Sequence, residues 1–315
     1  MVRTIDEMTP VDHACAVADS DEHLWEVTAA WLAGGLAAGE RVLYFEDETA
    51  AAVLGRLADD RVPVRQAIGS GQLLVMPTAR TREILSGPAG DLERLLDGHV
   101  IEATTRGWPR LRLTGETACA LSPSGSADRV MAFERATERV LRRHPATRLL
   151  CRYDRRRWNE QAIDEMRRMH DTELVSPAVY DDNLLRITRN GPSSARLAGE
   201  IDHSNRLRIR TLLETMLDQT LRSHSAPTDV VLDLSSLRFL DVAGAVALVH
   251  AAEAFPQSHR LALTGVRPAT QRVLDRCGAP FAAQLDVSAH HGPPHNGVAV
   301  PWPVRGEALQ PRGAG

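Results

Sequence analysis

The sequence predicts an α/β protein of two domains, the first built on a mostly parallel sheet with helices on both faces. Three observations carry that expectation. The chain has 315 residues, more than one hydrophobic core usually spans. Short apolar runs alternate with helical periodicity from about residue 13 to residue 170, the pattern of βαβ units. The stretch Val230–Leu248, VVLDLSSLRFLDVAGAVAL, then passes from a valine-rich strand through a turn into a second kind of α/β unit.

In chain order, residues 14–17 (ACAV) read as a strand, and Asp19-Ser20-Asp21-Glu22 as polar caps. The following helix places Leu24, Val27, Trp31 and Leu32 on one face and ends at Gly39. Further strands are expected at Arg41–Phe45, Gln72–Met76, Arg110–Thr114 and Arg148–Tyr153. Helices are expected at roughly 49–59, Leu92–Thr105, 127–143 and Arg157–His170.

Periodicity stops at Val175–Asn183, where turn residues gather, so residues 1–178 form the first domain and 179–183 a linker. The second domain, 184–287, opens with strands at Leu184–Thr188 and Ala195–Ala198. A helix over His203–Leu221 follows, with Ile209, Leu212, Leu213, Met216, Leu217 and Thr220 inward. Its central strand at Val230 reads as buried on both faces, and residues 235–240 as a crossing of the sheet's end. Asp241 stands where a helix N-cap belongs. Val242, Ala245, Val246, Val249 and Ala252 give that helix an apolar face. A strand at Arg260–Leu263 and a helix at Ala269–Arg276 complete the domain. Residues 288–315, rich in proline and glycine, read as a disordered tail.

Composition excludes several classes of function. Apolar content of 43% and charged content of 25% are ordinary for a soluble globular protein. A net charge of −4 argues against direct nucleic-acid binding or attachment to a membrane surface. All 37 basic residues are arginine, which removes lysine nucleophiles and a phosphate-loop lysine. Aromatics, at 4%, are too few for base-stacking platforms. No run is long and apolar enough to span a bilayer and the start lacks a signal-peptide core, so a cytoplasmic protein is expected.

Two resemblances add to these readings. VVLDLS followed by F-L-D-x-x-G resembles the STAS domain of anti-sigma factor antagonists. Leu197-Ala198-Gly199-Glu200-Ile201-Asp202 is similar to that family's L-x-G-E-I-D opening, and Leu263-Thr264-Gly265-Val266-Arg267-Pro268 to its late strand and turn. The resemblance implies that Asp241, Val242, Ala243, Gly244 and Val246 dock a partner, an anti-sigma factor or serine-kinase-type switch protein. In phosphorylation-switched relatives a serine follows the aspartate. Here Val242 stands in that place and has no hydroxyl to accept phosphate, which would bring about −1.5 to −2 charges.

The first domain resembles the MEDS sensory domain. The residues that carry this are His13, DSDEHLWEV, WLAGGLAAGERVLYFEDE, Leu113-Thr114-Gly115-Glu116, Cys151-Arg152-Tyr153-Asp154 and His170. The resemblance implies a RecA/KaiC-like fold and the sensing of a small, apolar ligand. Glu116 stands at the C-terminal end of a parallel strand, where open α/β sheets bind ligands. His13, Tyr153 and His170 are expected on the same rim.

No cofactor or metal is expected. The first loop offers Asp19, Asp21 and Glu22 where a phosphate loop needs glycines and a lysine, so an ATP-hydrolysing route is closed. Cys15, Cys119, Cys151 and Cys277 show no CxxC spacing and read as free thiols. His290, His291 and His295 lack carboxylate or thiol partners nearby in sequence. Neither a nucleophile elbow nor an HExxH motif occurs, so a non-enzymatic regulator is expected. The alternatives are a homo-oligomeric STAS scaffold of a larger signalling assembly and, third, an enzyme using a nucleotide on the RecA-like fold.

Overall fold

The computed structural model describes residues 2–4, 13–46, 48–115, 127–222 and 229–289. Glu116, Cys119 and the three histidines of the 290s lie outside them. The first domain contains β1 (Val2–Thr4), β2 (His13–Ala18), α1 (Asp21–Ala37), β3 (Arg41–Phe45), α2 (Ala50–Asp59), α3 (Val64–Gly69), β4 (Leu73–Met76), α4 (Thr78–Ser86), α5 (Ala89–Thr105), β5 (Leu111–Gly115), α6 (Ala127–Arg143), β6 (Thr147–Asp154), α7 (Glu160–Arg168) and β7 (Thr172–Val175). Its seven strands run in the order β1-β7-β2-β6-β5-β3-β4 and all pair in parallel.

Strand alternation sorts the side chains onto two faces. Cys15, Val17, Leu43, Phe45, Leu113, Leu149, Cys151 and Tyr153 pack with residues of α4 to α7. The intervening Ala14, Ala16 and Leu150 meet Val27 and Trp31 of α1, while Val42, Tyr44, Leu73 and Val75 pack with α1, α2 and α3. Each fully buried Leu or Val contributes about 1.5–3 kcal/mol. The α1 face also holds buried charge: Glu40 accepts from Arg112 at 2.5 Å and from Arg148 at 3.0 Å, which satisfies a carboxylate that burial alone would penalise. Helix α1 starts as the sequence predicts. Ser20 caps it by accepting from the His23 amide at 3.1 Å, and Gly39, at φ 69°, follows its end.

The second domain contains β8 (Tyr180–Asp181), β9 (Leu185–Gly191), β10 (Ser194–Ile201), α8 (Arg206–Arg222), β11 (Asp229–Asp233), β12 (Leu237–Leu240), α9 (Val242–Glu253), β13 (Arg260–Val266), α10 (Pro268–Arg276) and β14 (Leu285–Ala289). The sheet order is β14-β13-β11-β10-β9-β8, with β12 on β10. Only β9 pairs antiparallel with its neighbours β8 and β10. Helices α8, α9 and α10 share one core with the inward residues of the sheet.

Several expectations need correction. The segment 179–183 read as a linker contains β8, an edge strand of the second sheet, and β7, just before it, adds a strand to the first sheet that was not expected. Both are too short to show a period. Residues 237–240 do not merely cross the sheet's end. They form β12, which pairs with the C-terminal half of β10 after the β11 pairing ends at Arg196, with the register shifting between Gly199 and Glu200 so that Arg238 is the extra residue. Strand β11 is not buried on both faces: Val230 and Leu232 are buried, whereas Val231 and Asp233 are half-buried. Its second face looks toward the first domain, where polar side chains are satisfied. Finally, β14 runs on to Ala289, two residues into the stretch assigned to the tail.

Candidate functional site

The residues singled out in the first domain do meet, but not on the rim. His13 opens β2, and Cys15 and Cys151 lie opposite one another on the neighbouring strands β2 and β6. Odd-numbered positions of β2 face α6 and α7, so the His13 ring points under those helices. His170 follows α7 and returns to the same place. Its ring centroid is 4.2 Å from that of His13 and 6.0 Å from that of Tyr153. All three are buried. Glu116 lies outside the described residues.

A residue that sequence reasoning passed over completes the cluster. Glu134 of α6 is fully buried, and its Oε1 accepts from the Tyr153 hydroxyl at 2.6 Å. Its Oε2 accepts from the Cys151 thiol at 3.1 Å and lies 3.6 Å from Nε2 of both His13 and His170. Burial acts to raise the Glu134 carboxyl, and the two imidazoles outweigh it, leaving the group ionised below the ordinary carboxylate range. Burial first, and then the Glu134 charge, push up both the Cys151 thiol and the Tyr153 hydroxyl. A signal for Glu134 was present: it lies four residues after Val130 and directly after Phe133, inside the apolar stripe of α6.

Two openings adjoin this domain. Cys151 lines an apolar cavity of about 30 Å³ together with Phe45, Leu92, Leu113 and Leu149. A larger cleft of about 470 Å³ sits at the C-terminal ends of β2, β6 and β7, against the second domain. Asp19, His23, Arg155, Glu173 and Arg186 line it, so the rim expected to take an apolar ligand is charged.

The predicted docking turn of the second domain is well formed. Asp241 caps α9 by accepting from the Gly244 amide at 2.6 Å. Gly244 is required there, because a Cβ would stand 2.7 Å from Ile201 Cγ2. Val242 is 66% exposed and Phe239 49%, so Val242 does not join the apolar face predicted for it. Ala245, Leu248, Val249 and Ala252 make that face, while Ala243 and Val246 are half-buried. Val242, the first residue of α9, points to solvent although Gly244 and Ala245 of the same turn are buried.

Beside this turn the two domains are joined by arginines of the second and carboxylates of the first. Arg238 of β12 donates to Glu22 and stacks over Trp25, 5.1 Å from the ring centroid. Arg186 donates to Glu26 at 2.8 Å, and Arg196 to Asp60 at 2.5 Å. Arg267 reaches both Asp59 oxygens at 3.0 Å, and Ser236 donates to the same carboxylate at 3.0 Å. None of these pairs was legible in the sequence, since each joins residues more than a hundred positions apart.

Comparison with known proteins places these features. Residues 12–171 match the family model of the MEDS domain, the methanogen/methylotroph, DcmR sensory domain, and residues 187–288 match that of the STAS domain. The chain therefore belongs to the MEDS family, and in it a MEDS domain precedes a STAS domain. No curated protein matches the chain. Among solved structures it is similar to the flagellar accessory protein FlaH from Methanocaldococcus jannaschii, at 11% identity and a TM-score of 0.36. The match covers 57% of this chain and 76% of FlaH. Among the described residues, no helix is long and apolar enough to cross a membrane.

Proposed function

We propose that this chain is a cytoplasmic regulator of the anti-sigma factor antagonist kind. Its STAS domain docks an anti-sigma factor with a serine kinase fold, and that sequestration releases a sigma factor for transcription. The observation that carries this reading is the capped turn with Val242 and Phe239 exposed together, a small apolar patch beside a rigid helix start. Because Val242 cannot be phosphorylated, control comes from the MEDS domain, whose α1 is tied through Glu22 to the strand that leads into that turn.

Affinity capture from native cells tests the reading. The wild-type chain is expected to recover a kinase-fold anti-sigma factor, and Val242→Glu to lose it. Val242→Ser is expected to regain phosphorylation at that position and then release the partner. Recovery of no such protein by the wild-type chain, under conditions where a phosphorylatable STAS protein recovers one, would overturn it.

A further inference from the structure

We propose that His13, Glu134, Cys151 and His170 form a four-coordinate site for a divalent transition metal ion of the zinc type. The inference stands on the geometry of the MEDS core and is independent of partner docking.

One donor atom from each of the four residues lies within 4.8 Å of every other. Four of the six separations are 3.6 Å from Glu134 Oε2 to each histidine Nε2, 3.5 Å from Cys151 Sγ to His13 Nε2 and 3.1 Å from Cys151 Sγ to Glu134 Oε2. Metal bonds of about 2.0–2.3 Å in a tetrahedron give edges of roughly 3.3–3.8 Å. Three of the four distances fall in that range, and the fourth is short by a few tenths of an ångström. As hydrogen bonds the two imidazole–carboxylate contacts are too long.

The tautomer of His170 sharpens the point. Its Nδ1 lies 2.7 Å from the Met166 carbonyl, which can only accept, so Nδ1 carries a proton. Among the described residues, Nε2 has no hydrogen-bond partner although it is buried and aimed at a carboxylate oxygen. In the neutral ring a lone pair would then face a negative oxygen. A cation between them resolves that opposition, and the Nδ1–carbonyl bond is the outer support that metal-binding histidines usually carry. Tyr153 supplies the same support to Glu134, holding Oε1 so that Oε2 faces the centre.

Charge and softness select the ion. One carboxylate and one thiolate neutralise a divalent cation, as a largely buried site requires. Two imidazoles, one sulfur and one oxygen suit a borderline metal and disfavour calcium or magnesium, which need six or more oxygens or retained water. On binding, the Cys151 proton leaves and a metal–sulfur bond forms, with no change of oxidation state.

Cobalt tests the site, because tetrahedral Co²⁺ with a thiolate ligand has intense visible bands and a near-ultraviolet charge-transfer band. The full chain is used with His290, His291 and His295 changed to alanine, so that those histidines offer no competing ligands. It is produced in cobalt-supplemented medium. About one equivalent per chain with both signatures, displaced by zinc, is expected. Cys151→Ser should lose the charge-transfer band. Tyr153→Phe, which removes no ligand and little volume, should weaken metal affinity about 10–100-fold while the bands remain. Protein that is folded by circular dichroism yet metal-free after both cobalt and zinc supplementation would overturn the proposal. It would leave a buried imidazolium–carboxylate pair in its place. So would bound cobalt with a weak octahedral spectrum indifferent to both variants.

Discussion

Arg238 donates to Glu22 across the domain boundary, only four residues before Val242. Glu22 is 3% exposed and Arg238 40%, so the pair is half in and half out of solvent. Burial first acts to raise the Glu22 carboxyl, and it prevails over the lowering influence of Arg238 and Arg56. The strand that leads into the Asp241–Gly244 turn is thereby fastened to the first turn of α1.

Removing that fastening should loosen the domains. Arg238→Ala leaves Glu22 with Arg56 at 3.8 Å as its nearest remaining cation. A loss of about 1–2 kcal/mol is expected, below the value for a fully buried pair because Arg238 is partly solvated. Faster limited proteolysis in 176–184 and a lower urea midpoint would register it. An unchanged proteolysis rate would mean that the remaining arginine pairs suffice.

Acid should weaken the same seam. Burial, and then Arg186, push His23 down to about 4, against the raising influence of Glu26, Asp19 and Asp181. The folded state therefore prefers the neutral ring. The stability this confers is complete above the ordinary histidine value near 6.5 and is lost as pH falls from there toward 4. A contribution on the order of 2 kcal/mol is at stake. Melting temperature measured between pH 7.5 and 4.5 should fall more steeply in the wild-type chain than in His23→Gln.

At the docking turn, stability and binding should separate. Asp241→Ala removes the cap of α9 and is expected to cost about 1 kcal/mol. Val242→Glu, at an exposed helix start that tolerates negative charge, should alter stability by less than about 0.5 kcal/mol while abolishing partner binding. Chemical denaturation beside a binding assay distinguishes the two.

The register shift where β10 meets β12 predicts one severe substitution. Gly199 has φ 106°, and a Cβ there would stand 1.9 Å from the Leu184 carbonyl oxygen. Gly199→Ala should cost about 3 kcal/mol or more, because both backbone strain and overlap with a rigid carbonyl must be relieved. Soluble yield and thermal melting report it, and a variant that melts like the wild type would show that the backbone there can move.

What sequence reading could reach followed period and local chemistry. The α1 cap at Ser20, the α9 cap at Asp241 and the alternation of strands with helices all rest on residues a few positions apart, and the structure places them as expected. The three-residue β1 and the two-residue β8 carry no period and were invisible. Helices α3 and α4, which begin directly after Pro63 and Pro77, were not among the expected helices; both are short, at six and nine residues. His13, Tyr153 and His170 come together, but beneath the helices and not at the sheet's end. Only the strand parity of β2 and β6 and the return after α7 put them under the helices. Glu134 was missed because an acidic residue within a charged helix ordinarily faces water.

Strand β12 has one more consequence, for the direction of the signal. In the proposed reading, a partner resting on Phe239 and Val242 and the α1 carboxylate that holds Arg238 would bear on neighbouring residues of the same short strand and its turn. If what the MEDS domain holds changes how well the partner binds, the partner must change by the same factor how well the MEDS domain holds it. The receptor end of such a molecule thus reports on occupancy at the output end, and its apparent sensitivity in a cell would vary with the abundance of the protein it controls.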